Sequence, residues 1–265
     1  MGREDVLYTK ADGIATITLN RPEKLNAVTF EMHDLIEEAV ADAVKDSSLR
    51  SLILTGAGRG FCGGTDVTGS MVSSLELSLR LVGARGATFE QPSSWWFANI
   101  PQPTIAAVNG PAIGAGAEIA LMCDFRIASE TARFGWVFPQ RGIVPDAGAG
   151  TYLLPRIVGL TKALEIVLSG EIVDAEEALR IGLVSKVVPQ DQLMATAKEF
   201  ADHLTRGAPL ALRMCKRLIY RGLERDMEAH QAMTRELLNL CFQTEDHKEG
   251  VMSFLEKRAP VWKGR

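Results

Sequence analysis

The chain has 265 residues, of which 46% are hydrophobic and 23% charged, with 24 Gly, 11 Pro and a mean hydropathy of +0.05. That is a globular composition with ample apolar material for a core, and it excludes a disordered, collagenous or coiled-coil chain. Twenty-nine Lys and Arg against 33 Asp and Glu leave a net charge of −4, so no overall field would hold nucleic acid or an acidic membrane. The four cysteines, Cys62, Cys123, Cys215 and Cys241, are far apart and form no C-x-x-C, which argues against a zinc knuckle or a disulfide framework. The first residues carry acids where a targeting peptide would be apolar or Arg-rich, and Val6 stands where a myristoylation motif needs Ser or Thr. The most apolar stretch, Thr104 to Cys123, contains Asn109, Pro111 and Glu118 and does not suit a spanning helix. A cytoplasmic protein is expected.

Ala15, Ile17 and Leu19 alternate with Thr16 and Thr18, the period of a strand with one wetter face. A helix follows, capped by Thr29, with Glu31 in its first turn and Met32, Leu35, Ile36, Ala39, Val40, Ala43 and Val44 as its apolar stripe. Ser51 to Thr55 reads as a strand covered on both faces, ending at Gly56. Thr104 to Val108 is a second such run, closed by Asn109-Gly110-Pro111 and followed by a helical stretch through Ala117 to Leu121. A strand is expected over Asp124 to Ala128, a helix opened by the capping box Asp174-Ala-Glu-Glu177, and a strand over Val184 to Val188. Strands alternating with helices predict a layered α/β core. After Pro189 the pattern is helical: Gln190 to Arg206, Pro209 to Arg221, Asp226 to Phe242, and a last helix capped by Thr244. Val251, Phe254 and Leu255 form a narrow stripe on that helix. Packing on the chain's own core is its expected role, with a subunit interface as the alternative.

Two glycine-rich loops follow buried strands, Gly56 to Asp66 and Gly110 to Glu118, at the strand ends where ligands of open α/β sheets bind. The match of Gly58-Arg-Gly60-Phe-Cys-Gly63 to a dinucleotide fingerprint lacks a placed ribose acid. P-loop and nucleophile-elbow motifs are absent from the sequence. Glycines let backbone N–H groups approach a ligand oxygen, and two converging amides make an oxyanion hole; tight turns and close helix packing are the alternative use.

Arg59-Gly-Phe-Cys-Gly-Gly-Thr-Asp66, Ala106-Ala-Val-Asn-Gly-Pro-Ala-Ile-Gly-Ala-Gly-Ala-Glu118, Ala132-Arg-Phe-Gly135, Gly142-Ile-Val-Pro-Asp146 and Leu154-Pro-Arg-Ile-Val-Gly159 resemble, in order and spacing, the crotonase superfamily of enoyl-CoA hydratases and isomerases. Asn20-Arg-Pro22, Leu25-Asn26-Ala27 and Phe254-Leu-Glu-Lys257-Arg258 extend the resemblance along nearly the whole chain. It implies a crotonase-like spiral of ββα units over residues 1–189, holding the CoA and catalytic pocket. It further implies a C-terminal helical trimerisation region over 190–265, a homotrimer or a hexamer made of two trimers, and an acyl-CoA thioester substrate with no separate cofactor. Carried over by position, the oxyanion amides are those of Thr65 and Ala115. Many members have Gly at the latter, and the Ala methyl would narrow the hole and remove the positive-φ option.

Glu118 matches one of the two glutamates of the family's hydratases, and a carboxylate among Ala, Ile and Leu has little structural reason to be there. A helix-start acid favoured by the macrodipole is the plainer reading. The second glutamate would fall at Phe138, which cannot transfer a proton. Asp146 occupies the position at which several isomerases and a dehalogenase of the superfamily carry their working carboxylate; a loop acid or helix cap is its alternative. Two carboxylates in one apolar pocket would raise one pKa toward neutrality. The resemblance further implies CoA or substrate contacts at Arg21, Lys24, Leu25, Phe61, Gly63, Gly64, Asp66 and Gly114. It adds Phe254 and Lys257, reaching in from a neighbouring subunit. Trp136 and Phe138, with Trp95-Trp96-Phe97, could line an acyl pocket or serve as core aromatics.

Hydration of a 2-enoyl-CoA is favoured because Glu118 is retained, with double-bond isomerisation through Asp146 as the alternative. A non-catalytic scaffold is the lesser possibility, and RNA binding through Arg213, Lys216, Arg217, Arg221 and Arg225 is disfavoured. No His, Cys or carboxylate spacing resembles a metal-ligand set, so no metal is expected.

Overall fold

The computed structural model describes residues 4–66 and 96–265. It begins with a hairpin of β1 (Val6–Ala11) and β2 (Ile14–Leu19), turned by Asp12 and Gly13 at φ 52° and 75°. Two successive positive φ values match the right-handed twist of the flanking strands. Helix α1 (Phe30–Lys45) is capped as expected, the Thr29 side chain accepting the Met32 N–H, and leads to β3 (Ser51–Gly56). The short α2 (Trp96–Asn99) precedes β4 (Thr104–Val108), β5 (Pro111–Ile113), α3 (Ala115–Met122), β6 (Phe125–Ser129) and β7 (Arg133–Gly135). Next come α4 (Ala149–Tyr152), α5 (Leu154–Val158), α6 (Leu160–Ser169), β8 (Val173–Asp174), α7 (Ala175–Arg180) and β9 (Lys186–Val188). The chain continues with α8 (Leu193–Leu204), α9 (Pro209–Gly222), α10 (Met227–Phe242) and α11 (Glu245–Glu256).

A six-stranded sheet runs in the order β1-β2-β3-β4-β6-β9, parallel throughout except for the β1/β2 hairpin. Period-two alternation decides which core each residue enters. Ala15, Ile17, Leu52, Leu54, Ala106, Val108 and Ala128 face α1 and α3, whereas Ile14, Ile53, Ile105, Ala107 and Ile127 face α8 through Leu193, Ala197 and Ala201. The first helix after Pro189 thus covers the second face of the sheet. All eight residues of α3 are buried, as suits a helix apolar around its circumference. A smaller sheet, β5-β7-β8, lies beyond β4 and carries the second glycine loop.

Val251, Phe254 and Leu255 do not pack on the chain's own core: they are 46%, 82% and 67% exposed. The expectation of intramolecular packing is therefore corrected. The face of α11 turned to its own chain is defined instead by the buried Asp246 and Ser253, Asp246 taking the backbone N–H groups of Lys263 and Gly264 at 2.6 and 2.9 Å.

Helix α9 is tied to the core by a buried ion pair. Lys216 Nζ lies 2.6 Å from Asp124 Oδ2, which also accepts from the N–H and hydroxyl of Thr104, while the Tyr220 hydroxyl donates to Asp124 Oδ1 at 2.8 Å. Removing one partner of such a pair leaves an uncompensated buried charge. Asp124→Ala is expected to cost about 3–5 kcal/mol, read as a lowered urea midpoint with an unchanged slope in equilibrium unfolding.

Candidate functional site

The first glycine loop leaves β3 at Gly56 and returns toward the core through Phe61 and Cys62, both fully buried. Two buried asparagines pin it. Asn26 Nδ2 donates to the carbonyls of Ala57 (2.9 Å) and Gly60 (2.7 Å), and Asn109 Nδ2 donates to those of Gly58 (3.0 Å) and Gly60 (3.1 Å). Their own oxygens accept the N–H groups of Arg21 and Gly56. The second loop is stitched to the first by bonds from Cys62 N to Pro111 O (3.0 Å) and from Ile113 N to Cys62 O (2.9 Å). Val28 N donates to Gly64 O, and Asp66 N donates back to Val28 O. Asn26 and Asn109 stand within the family-like motifs of the sequence, yet no role was legible for them there.

Gly64 sits at φ 112° and Gly114 at φ 56°, ψ −122°, and a Cβ placed on Gly114 would lie 4.0 Å from Gly64 Cα. The two loops therefore approach closely at these glycines, each of which is directly followed by an amide, that of Thr65 and that of Ala115. Neither N–H has an acceptor among the described residues. Ala115 is the first residue of α3, where N–H groups are unpaired within the helix and the dipole favours negative charge. Ala115 needs no positive φ, because that conformation falls on Gly114.

Glu118, one turn into α3, is fully buried. Its Oε1 accepts the Trp136 indole N–H at 2.8 Å and the Gly150 N–H at 2.7 Å, and its Oε2 accepts the Ala149 N–H at 2.8 Å. Burial pushes its pKa up to about 7 against the pull of these donors, and the charge of Asp146 adds to the rise. Asp146 itself is exposed, with Oδ1 accepting the Ala147 N–H at 2.8 Å, and loss of hydration raises its pKa as well. Because Ala149 and Gly150 open α4, their bonds to Glu118 also fix the end of the loop that carries Asp146. Asp146 thus acts on Glu118, and the two carboxylates differ sharply in accessibility.

Other expected site residues divide by location. Arg21 is engaged with protein: its guanidinium pairs with the buried Asp66 at 2.8 Å and donates to Ala27 O at 2.8 Å. Lys24 and Gly63 are exposed and Leu25 half-buried, its side chain beside Gly60 and Gly63. Trp136, Phe138 and Phe97 are buried. Phe254 and Lys257 lie at the exposed end of α11, Lys257 at φ 53°. Trp95 lies outside the described residues. Among the described residues no group of three or more His, Cys, Asp or Glu could hold a metal ion, and no helix is long and apolar enough to cross a membrane.

Two glycine loops that meet beyond the parallel sheet, each followed by an amide without an acceptor among the described residues, lie with a buried carboxylate of raised pKa on the helix that the second loop opens. The chain belongs to the enoyl-CoA hydratase/isomerase family, whose profile matches residues 9–265. It is 37% identical over 262 residues to the 1,2-epoxyphenylacetyl-CoA isomerase of Escherichia coli K12, covering 99% of each chain. It is 38% identical over 259 residues to the short-chain-enoyl-CoA hydratase of Clostridium acetobutylicum, covering 97% of each. The crystal structure of an enoyl-CoA hydratase from Bacillus anthracis superposes with a TM-score of 0.90 at 33% identity, over 98% of this chain and all of that one. The fold is thus the crotonase fold with a C-terminal helical region, as the sequence resemblance implies.

A methyl group at position 150 would collide with Glu118 Oε1 and the Trp136 ring. Gly150→Ala is expected to destabilise the protein by about 1–3 kcal/mol through overpacking, measured by urea unfolding.

Proposed function

We propose that the protein processes unsaturated acyl-CoA thioesters through an enolate, and that hydration of a 2-enoyl-CoA is its reaction. The observation that carries the reading is the pair of amides at Thr65 and Ala115, unpaired among the described residues, beside Glu118. In this role the two N–H groups hold the thioester oxygen. Electron density moves onto that oxygen as a nucleophile adds at Cβ, and fixed donors lower the barrier without reorganising. Glu118, poised near neutrality, takes a proton from water as the water oxygen bonds to Cβ. The proton that completes the product reaches Cα from Asp146, and the two carboxylates reset by exchange with solvent. CoA is part of the substrate and no further cofactor enters the scheme.

Double-bond migration is the second reading, favoured by the contrast between a Glu118 held by three N–H donors and an exposed Asp146. Here Asp146 alone removes a proton from Cα of a 3-enoyl thioester and returns it to Cγ of the dienolate. A relative named as a short-chain-enoyl-CoA hydratase and one named as a 1,2-epoxyphenylacetyl-CoA isomerase are found at closely similar identity. In either case Phe138 supplies an apolar wall in place of a second glutamate, and Lys24 and Leu25 from the turn before α1 face the CoA together with Gly63 of the first loop.

The division of labour follows the sequence expectation. Residues 1–189 build the pocket, α8 closes the sheet behind it, and the remainder of 190–265 makes the subunit contacts of a homotrimer, alone or doubled into a hexamer, acting in the cytoplasm. Support for association comes from the exposed apolar residues Met227, Phe254 and Leu255. In this arrangement Phe254 and Lys257 reach a neighbour's CoA. Sedimentation at micromolar concentration should give a trimer or a multiple of it; a monomer would refute the assembly.

Incubation with crotonyl-CoA and with a 3-enoyl-CoA, followed by the absorbance of the conjugated thioester, separates the reactions. Hydration predicts loss of crotonyl absorbance that Glu118→Ala abolishes, with a rate that rises as pH passes about 7 and Glu118 ionises. Gain of absorbance from the 3-enoyl substrate, abolished by Asp146→Ala alone, would establish migration instead. Ala115→Pro removes one oxyanion donor at a helix position that accepts proline. A loss of about a hundredfold to a thousandfold in turnover is expected, with circular dichroism unchanged.

A further inference from the structure

We infer that Trp136 is a positioning residue, its indole N–H orienting Glu118 and holding it as a carboxylate, rather than a wall of the acyl pocket. Trp136 is fully buried, so little of the ring is offered to a ligand. Its one polar atom is 2.8 Å from Glu118 Oε1, the oxygen that also accepts from Gly150. Every hydrogen-bond partner of Glu118 among the described residues is a donor, and each donor stabilises the ionised form. Two of the three are backbone amides of α4 and come with the fold. The third is a side chain, and it is the one that sequence can vary.

Its position follows from the elements around it. Trp136 directly follows β7, whose neighbour β5 leads through Gly114 into α3, with Gly114 N bonded to Gly135 O at 2.8 Å. The strand that supports the second oxyanion loop thereby delivers the indole to the carboxylate one turn into the helix. Asp146 is the charged group that acts on Glu118 from the α4 side, and it favours the protonated form. Trp136 opposes it.

The inference rests on Glu118 working as a base, so its test has an arm that needs no substrate. Glu118 is titrated by carbon NMR of glutamate-labelled protein, its signal assigned with Glu118→Gln. The titration is done in the wild type, in Trp136→Phe, and in protein carrying benzothienylalanine at 136, which keeps the bicyclic shape and replaces N–H by sulfur. Loss of a hydrogen bond to a charged group is expected to raise the Glu118 pKa by about one unit or more in both variants. The acid limb of the pH–rate profile should move up by the same amount while KM changes little. An unmoved Glu118 titration in the benzothienylalanine protein, which preserves packing, overturns the inference, as does a rise in KM at constant kcat. A shifted titration in a protein inactive on every enoyl-CoA would sustain the positioning role and reject the proposed reaction.

Discussion

The site depends on the closeness with which two backbone loops approach one another. Gly64 and Gly114 abut, and a Cβ on Gly116 would collide with the carbonyl of Cys62. A side chain at Gly116 would push the loops apart and with them the amides of Thr65 and Ala115. Backbone amides have no side chain to tune, so their placement is set by whatever holds the loops together. Here that is a set of cross-loop backbone bonds together with the side chains of Asn26 and Asn109, all buried polar groups that find partners. The parallel sheet behind them fixes where each loop starts.

Electrostatics then separates the two carboxylates. Glu118 pays for burial with a raised pKa and recovers part of the loss through three N–H donors, so it remains usable as a carboxylate near neutrality. Asp146 stands in the open on a loop whose far end is tied to Glu118 through Ala149 and Gly150. One residue is thus both a chemical group and the anchor of the other's loop. Substitutions at Glu118 will disturb both functions, which makes the variants at Trp136 and Ala115, where Glu118 and its bonds to Ala149 and Gly150 stay in place, the cleaner probes.

Much of the architecture was legible because it is local. Thr29, Asp174 and Thr244 cap helices as their sequence context demands. The runs Ser51 to Thr55 and Thr104 to Val108 are buried parallel strands whose continuous apolar character matches burial on both faces. The strand β1 was not legible: Val6-Leu-Tyr-Thr-Lys-Ala11 lacks clean alternation because it is an edge strand, mostly exposed, specified by the Asp12-Gly13 turn and its partner. Within the site, Thr65, Ala115, Glu118 and Asp146 were singled out by motif, because they stand in or beside the glycine loops of the sequence. The tie between Trp136 and Glu118 could not be read this way, because eighteen residues separate them and only the β5/β7 pairing brings them together. Phe254 and Leu255 misled for a related reason, as helical spacing reports an apolar face without saying whose surface will cover it.

The crossing of α8 over the sheet bears on how the chain is made. Ile53, Ile105 and Ile127 form an apolar face that α8 covers with Leu193, Ala197 and Ala201, flanked by Met194, Phe200 and Leu204. Roughly 75 residues separate the end of β6 from the end of α8, so at about 5–20 residues per second a ribosome leaves that face uncovered for about 4–15 s. During that interval the nascent chain presents a ready surface to chaperones, and β9 is also missing from the edge of β6. The order of synthesis thus places the completion of the sheet and the sealing of its second face late, after both glycine loops have emerged.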